Sequence, residues 1–182
     1  MSREYILSAV GGNRPGVVAE IARQLYLSGI RIENSSMTLL AQHFTLMLHI
    51  VAEEDSAQGW LRDKLRQLQE NTEISTHIFA VPKTESGAEE VAEPRYTLRV
   101  RGGDRSGIVY KTSLFLARKG VNILRMDTRM GQGRHSGTLL FRMDSLIEIP
   151  DGVDESRFRN ELESLAGELQ ESVTLTRADA SV

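Results

Sequence analysis

Residues Tyr5–Val18 read YILSAVGGNRPGVV, and residues Tyr96–Val109 read YTLRVRGGDRSGIV. The likeness continues further along, where Gly29–Ile32 (GIRI) corresponds to Gly120–Ile123 (GVNI). Solenoid repeats have units of about 20–50 residues, whereas this repeat takes up half of the chain. The sequence therefore predicts two similar modules, each with a loop of the same kind.

Each copy starts with a strand pattern followed by a helix pattern. Apolar and polar residues alternate from Tyr96 to Arg101, as in a strand with one buried face. In the first copy, apolar residues at helical spacing are expected to be buried on one helix face: Val18, Ile21, Ala22 and Leu25. Asn13 in the first copy, or Asp104 in the second, is a possible cap for the start of the helix that follows it.

Two more strands, a second helix and a last strand follow. The later strands are expected at 30–40, 44–51 and 74–81 in the first copy, and at 121–130, 138–144 and 173–177 in the second. The second helices are marked by Leu61, Leu65 and Leu68, and by Phe158, Leu162, Leu165 and Leu169. The order β-α-β-β-α-β is that of the ferredoxin-like arrangement. We therefore predict the α+β class, with two antiparallel four-stranded sheets and both helices of each module on one face.

An acidic stretch, PKTESGAEEVAEP, separates the two copies at residues 82–94. It has almost no large apolar residues and is bounded by prolines, which is typical of a linker. The predicted division is therefore 1–81 for the first module, 82–94 for the linker and 95–182 for the second module.

Composition narrows the classes of function. The net charge is −3 and cysteine is absent, which argues against a nucleic-acid binder that works by general basicity and excludes thiolate metal sites. No basic patch is evident, and the third strands lack the aromatic pattern of RNA-recognition modules, which share this fold. The histidines lack metal-ligand spacing and no nucleophile–base pair stands out, so we expect no catalysis, no metal and no cofactor. No apolar run is long enough for targeting or a membrane span, which favours a cytoplasmic protein without membrane contact.

The loop after the first strand is a candidate site in each copy, at Gly11–Gly16 and Gly102–Gly107. Its glycines leave backbone N–H groups at a helix start open to an anion such as a ligand carboxylate, although they also suit a tight turn that binds nothing. Asn122, at the start of the second strand, is expected beside this loop, where its amide can pair with an ammonium and a carboxylate. The first copy has Arg31 there, with Asn34 as a further candidate.

The second copy also predicts self-association. Leu114 and Phe115 add apolar side chains to its first helix beyond what one buried stripe requires. We expect either the two modules of one chain or two chains to pair.

These loops and the residues after the first helix resemble the ACT domain. The motifs are Asn-Arg-Pro-Gly and Asp-Arg-Ser-Gly after the first strands, then Gly-Ile-Arg-Ile and Gly-Val-Asn-Ile after the first helices. Two copies with a short linker resemble the glycine cleavage system transcriptional repressor group of tandem-ACT proteins. Ser106 replaces the usual proline, and Arg31 stands in place of the asparagine.

The resemblance implies a ferredoxin-like module that binds an amino acid, such as glycine, where ACT modules pack together. Together with the loop pattern, it nominates the following ligand-binding residues: Gly12, Asn13, Arg14, Pro15, Gly16 and Asn34 in the first copy, and Gly103, Asp104, Arg105, Ser106, Gly107 and Asn122 in the second. It also implies control of transcription through a DNA-binding partner. The alternatives are a regulatory subunit of a metabolic enzyme and a protein-interaction module without a ligand.

Overall fold

The computed structural model of the protein describes residues 2–53, 63, 65–67, 69–70, 72–82, 93–103, 106–132 and 139–178. The chain divides into two units, Met1–Ala88 and Glu89–Val182. The division falls within the predicted linker 82–94, most of which lies outside the described residues, as do Leu61 and Leu68 of a predicted helix.

The first module holds one antiparallel sheet. Its elements are β1 (Ser2–Gly12), α1 (Val17–Leu27), β2 (Arg31–Leu40), β3 (His43–Glu53) and β4 (Ser75–Ala80). The strand order is β2-β3-β1-β4, and every pairing is antiparallel. Helical residues at 63, 65–67 and 69–70 precede β4, and Leu65 among them is buried.

The second module repeats this architecture. Its elements are β5 (Arg95–Gly103), α2 (Ile108–Arg118), β6 (Asn122–Gln132), β7 (Leu139–Glu148), α3 (Glu155–Leu169) and β8 (Ser172–Arg177). The strand order β6-β7-β5-β8 matches that of the first sheet. The predicted fold class, two ferredoxin-like α+β modules, is confirmed. We call the face of each sheet opposite its helices the open face.

The core of the first module lies between α1 and one face of its sheet. Ile21 and Leu25 are fully buried, as the helical pattern predicts, and Ala22 is half-buried. Val18 is 42% exposed, however, and Val17 is buried in its place at 2%. The buried residues Val17, Ile21 and Leu25 follow a spacing of four, so the buried stripe starts one residue earlier than predicted.

The core of the second module is partly polar. Leu7 pairs with Leu48 in the first sheet, whereas the matching pair in the second is Leu98 and Ser145. Thr112 likewise is the fifth residue of α2, as Ile21 is of α1. The hydroxyl groups of Thr112 and Ser145 are buried and have no hydrogen-bond partner.

The buried, unpaired hydroxyl of Thr112 predicts how a substitution there changes stability. We expect Thr112→Val to raise the free energy of unfolding by on the order of 1 kcal/mol, because a buried hydroxyl without a partner has lost its hydration and gained nothing. Denaturant unfolding measures the change, and Thr176→Val, at an exposed position of β8, serves as the control. A loss of stability on Thr112→Val alone would mean that the hydroxyl is hydrogen-bonded in solution.

The second helix of this module, α3, buries residues of its predicted apolar face. Phe158, Leu162 and Leu169 are buried. The Phe158 ring lies 5.4 Å, centroid to centroid, from that of Phe115 on α2. The Tyr96 hydroxyl donates to Glu155 over 2.8 Å, which joins β5 to the start of α3. This hydrogen bond is the main cause of the raised pKa of Tyr96.

Candidate functional site

The loop of the first module joins β1 to α1. Gly16 precedes the helix with φ of 88°, in the left-handed region that favours glycine. No side chain caps the helix, and the Asn13 backbone N–H instead donates to the Gln42 carbonyl over 2.8 Å. Asn13 is therefore not the cap that the sequence suggested as a possibility. The Val17 N–H donates to the Arg14 carbonyl over 3.3 Å, so the donors that this uncapped helix start leaves to an anion are the N–H groups that follow Val17.

A shallow cleft of about 320 Å³ adjoins this loop. Gly12, Asn13 and Arg14 line one side, and residues 72–74 line the other. The Arg14 guanidinium lies 2.5 Å from the Glu20 carboxylate, and both side chains are partly exposed. An anion in the cleft would therefore lie near Arg14, whose positive charge is already partly balanced by Glu20.

The loop of the second module has the same backbone conformation at the residue that precedes its helix. Gly103 ends β5, and Gly107 precedes α2 with φ of 91° and no side-chain cap. Ser106 and Gly107 are exposed. Asp104 and Arg105 lie outside the described residues. The described part of this loop thus offers backbone donors at a helix start, as in the first module.

Asn122 does not lie beside the loop of its own module, and that prediction is wrong. It pairs with Glu148, whereas Gly103 pairs with Leu140 at the other end of β7. At about 3.3 Å per residue, these two positions are roughly 26 Å apart along the strand. The helix between loop and asparagine runs back along the sheet, so the next strand starts at the far end.

Asn34 is also remote from the loop of its module. It pairs with His49, whereas Gly12 pairs with His43. Asn34 and Gly12 are therefore roughly 20 Å apart in the direction of β3. Arg31, at the start of β2, binds Glu33 through a 2.7 Å hydrogen bond. A single amino acid therefore cannot contact the loop and either of these β2 residues within one module.

Glu171 is a residue of interest that the sequence reasoning missed. It directly precedes β8, as Ile74 precedes β4, and both side chains are buried. Glu171 is 8% exposed, and neither carboxylate oxygen has a hydrogen-bond partner. The carboxylate fills the space where Gly102 lacks a side chain, since a Cβ there would lie 1.4 Å from Oε2. The second module thus has a buried carboxyl group beside its loop, where the first has an isoleucine.

Among the residues that the structure describes, no group of three or more histidine, aspartate or glutamate side chains could hold a metal ion. None of the described helices has the length and apolar character needed to cross a membrane.

Comparison with known proteins gives a family match for the first module. The family model of the ACT domain matches residues 4–78, which run from β1 into β4. The resemblance noted in the sequence is thereby confirmed. Among curated proteins, the UPF0237 protein SMU_72 of Streptococcus mutans is 26% identical over 73 residues, covering 40% of this chain and 83% of that protein. A UPF0237 protein of Streptococcus pneumoniae is 25% identical over the same length.

Solved structures share the two-module fold. An unknown protein from Galdieria sulphuraria superposes with a TM-score of 0.81 at 21% identity, covering 98% of this chain and all of that one. A protein described as "putative glycine cleavage system transcriptional repressor" superposes with a TM-score of 0.73 at 17% identity, covering 98% and 99% of the two chains. At these identities the likeness establishes the fold, in which the second module repeats the first.

Proposed function

We propose that the protein is a non-catalytic regulator that binds an amino acid, such as glycine, at the loop between the first strand and first helix of its modules. The observation that carries this proposal is the loop itself. In both modules an exposed glycine in the left-handed conformation precedes a helix without a side-chain cap. Such a helix start presents N–H donors to a carboxylate, and the ACT resemblance supplies the ligand class.

The ligand site would be completed by a second module. An amino acid carries its carboxylate and ammonium only a few ångströms apart, and Asn122 lies roughly 26 Å from the loop of its own module along β7. Loop and asparagine can contact one ligand only if they come from different modules. The proposal therefore requires pairing: in a homodimer Asn122 can join the loop of a second module from the other chain, whereas pairing within one chain would bring it to the loop of the first module.

Glu171 favours the second module as the place where the ammonium is held. Its buried carboxylate lacks a partner, and burial of an unpaired charge is costly unless an opposite charge arrives. The first module has the apolar Ile74 at the same place and would lack this charge. A small local movement is needed, because the carboxylate is closed to solvent.

The regulatory output would pass through a protein partner. The name of one structural relative, "putative glycine cleavage system transcriptional repressor", supports control of transcription, and the net charge of −3 disfavours DNA binding by this chain alone. We therefore propose a DNA-binding regulator as the partner, with a metabolic enzyme as the alternative. Cellular location follows as a proposal too: such a regulator would work in the cytoplasm.

Ligand binding is tested by calorimetry of the purified full chain. We expect millimolar or tighter binding of glycine, serine or another small amino acid, and a loss of roughly 1–3 kcal/mol of binding free energy on Asn122→Ala, the worth of its polar contacts. Arg31→Ala, the matching change in the first module, should weaken binding less, because Arg31 is already engaged by Glu33.

The outcome against the proposal is equally clear. If the unmodified protein binds none of these amino acids at millimolar concentration, the ligand-sensing role is wrong. If Asn122→Ala binds as tightly as the unmodified protein, the site is misplaced. In the first case the modules are better described as protein-interaction surfaces.

A further inference from the structure

The open face of the second sheet carries a row of three arginines. Arg101, Arg142 and Arg129 lie directly opposite one another on β5, β7 and β6. Adjacent strands are about 4.8 Å apart, so the row spans roughly 10 Å. All three residues are exposed. The structure thus contains a local basic patch, contrary to the expectation from the sequence.

The neighbouring row only partly balances this charge. Arg99, Asp144 and Asp127 lie opposite one another. Asp144 pairs with Arg142 and lies 3.3 Å from Arg99, while Asp127 binds Arg125 over 2.9 Å. The hydrogen bond from Arg142 is the main cause of the lowered pKa of Asp144.

Arginines outnumber carboxylates on the whole face. No carboxylate in the described part of the chain lies within ion-pairing distance of Arg101 or Arg129. The described arginines of the face are Arg95, Arg99, Arg101, Arg125, Arg129 and Arg142, against the carboxylates Asp127, Asp144 and Glu148. The face is therefore positive, whereas the whole chain has a net charge of −3.

The first module shows that the fold does not require this row. Its corresponding open-face row consists of Val10, Thr45 and Thr38, which are neutral. Like charges directly opposite one another destabilise a sheet. A row of three arginines therefore makes the second module less stable than a neutral row would, and an external anion would remove that repulsion.

The shape and chemistry of the face select the kind of anion. A sheet face is broad, whereas small molecules bind in concave pockets. Nucleic-acid binders of this fold stack bases on aromatic rings of the sheet face, and the described residues of this face include none. The carboxylates of Asp127 and Asp144 would repel a continuous phosphate backbone, but they suit a protein segment in which acidic residues are interspersed with others. Guanidinium groups bind carboxylates in a planar two-bond geometry.

We propose that the open face of the second module binds an acidic segment of a partner protein, whose carboxylates pair with Arg101, Arg129 and Arg142. The inference rests on the part of the proposed function in which the chain acts through a protein partner. It does not depend on the amino-acid ligand, so the two fail separately: calorimetry tests the ligand, and the peptide experiment below tests the surface.

The test uses the full chain and a short fluorescein-labelled peptide of alternating glutamate and serine residues. We expect saturable binding by fluorescence anisotropy at low ionic strength, and weaker binding at about 0.15 M salt because exposed charges are screened. The triple variant Arg101→Gln, Arg129→Gln, Arg142→Gln should bind at least about tenfold more weakly. Its thermal unfolding temperature should change little, because the repulsion removed between the arginines offsets the lost Arg142–Asp144 ion pair, and Asp144 keeps Arg99 nearby.

A matched control removes the same charge elsewhere. The variant Arg23→Gln, Lys111→Gln, Arg118→Gln changes exposed positions on α1 and α2 and should bind the peptide like the unmodified protein. Three results would overturn the proposal. These are no peptide binding by the unmodified protein, equal loss in both triple variants, or tighter binding of a labelled single-stranded oligonucleotide or anionic vesicle than of the peptide through the same arginines.

Discussion

Replacing Ile21 with alanine is expected to lower the free energy of unfolding of the first module by about 2–5 kcal/mol. Ile21 is fully buried on α1, and it packs in one cluster with Leu7, Leu25 and Leu48. Truncation removes apolar contacts and leaves a cavity that the surrounding side chains fill only in part. Guanidinium unfolding followed by circular dichroism measures the change.

The control for this prediction is Val18→Ala on the same helix. Val18 is 42% exposed, and substitutions at such positions usually change stability by no more than about 0.5 kcal/mol. Alanine also favours a helix more than valine does. Similar losses for the two variants would show that the buried face of α1 is assigned to the wrong residues.

Substitution of Gly11 by alanine is expected to cost about 1–3 kcal/mol of stability. A Cβ at this position would lie 2.9 Å from the Glu73 carbonyl oxygen and 3.2 Å from the Ile74 Cα. Both are backbone atoms, so the segment before β4 would have to move. That segment also lines the cleft beside the loop, and its displacement would alter the cleft.

Gly12→Ala is the matched control for Gly11→Ala. Gly12 is also in β1, but no atom lies within 4 Å of a Cβ built there. We expect this variant to unfold at nearly the same denaturant concentration as the unmodified protein. If Gly11→Ala is equally harmless, the close approach between β1 and residues 73–74 does not persist in solution.

The fold was predictable because the chain repeats itself and its apolar periods are clear. The alternation after Tyr96 and the spacing around Ile21 place the strands and helices correctly. The error at Val17 and Val18 has a simple cause: adjacent valines fit one helical stripe almost equally well. The spacing of four through Leu25 and Ile21 places Val17, and not Val18, on the buried face.

The candidate site was less predictable, because it depends on distances through space. The loops fall where the glycines indicate, but Asn122 lies at the other end of its sheet. Glu171 stands out only in the structure, where it is buried at the place that Ile74 holds in the first module. The arginine row was hidden because Arg101, Arg129 and Arg142 are far apart in sequence and adjacent only in the sheet.

The polar residues in the second core have a consequence for its dynamics. Thr112 lies between Ile108 and Leu116 on α2. Ile108 belongs to one apolar cluster of the core and Leu116 to another. The cluster next to the loop is small, with Val100, Ile108 and Met143 as its buried residues. Few apolar contacts mean a low free energy of local opening. The end of the module that carries the loop can therefore exchange its amide hydrogens with water while the larger cluster stays folded, and a bound ligand would slow that exchange.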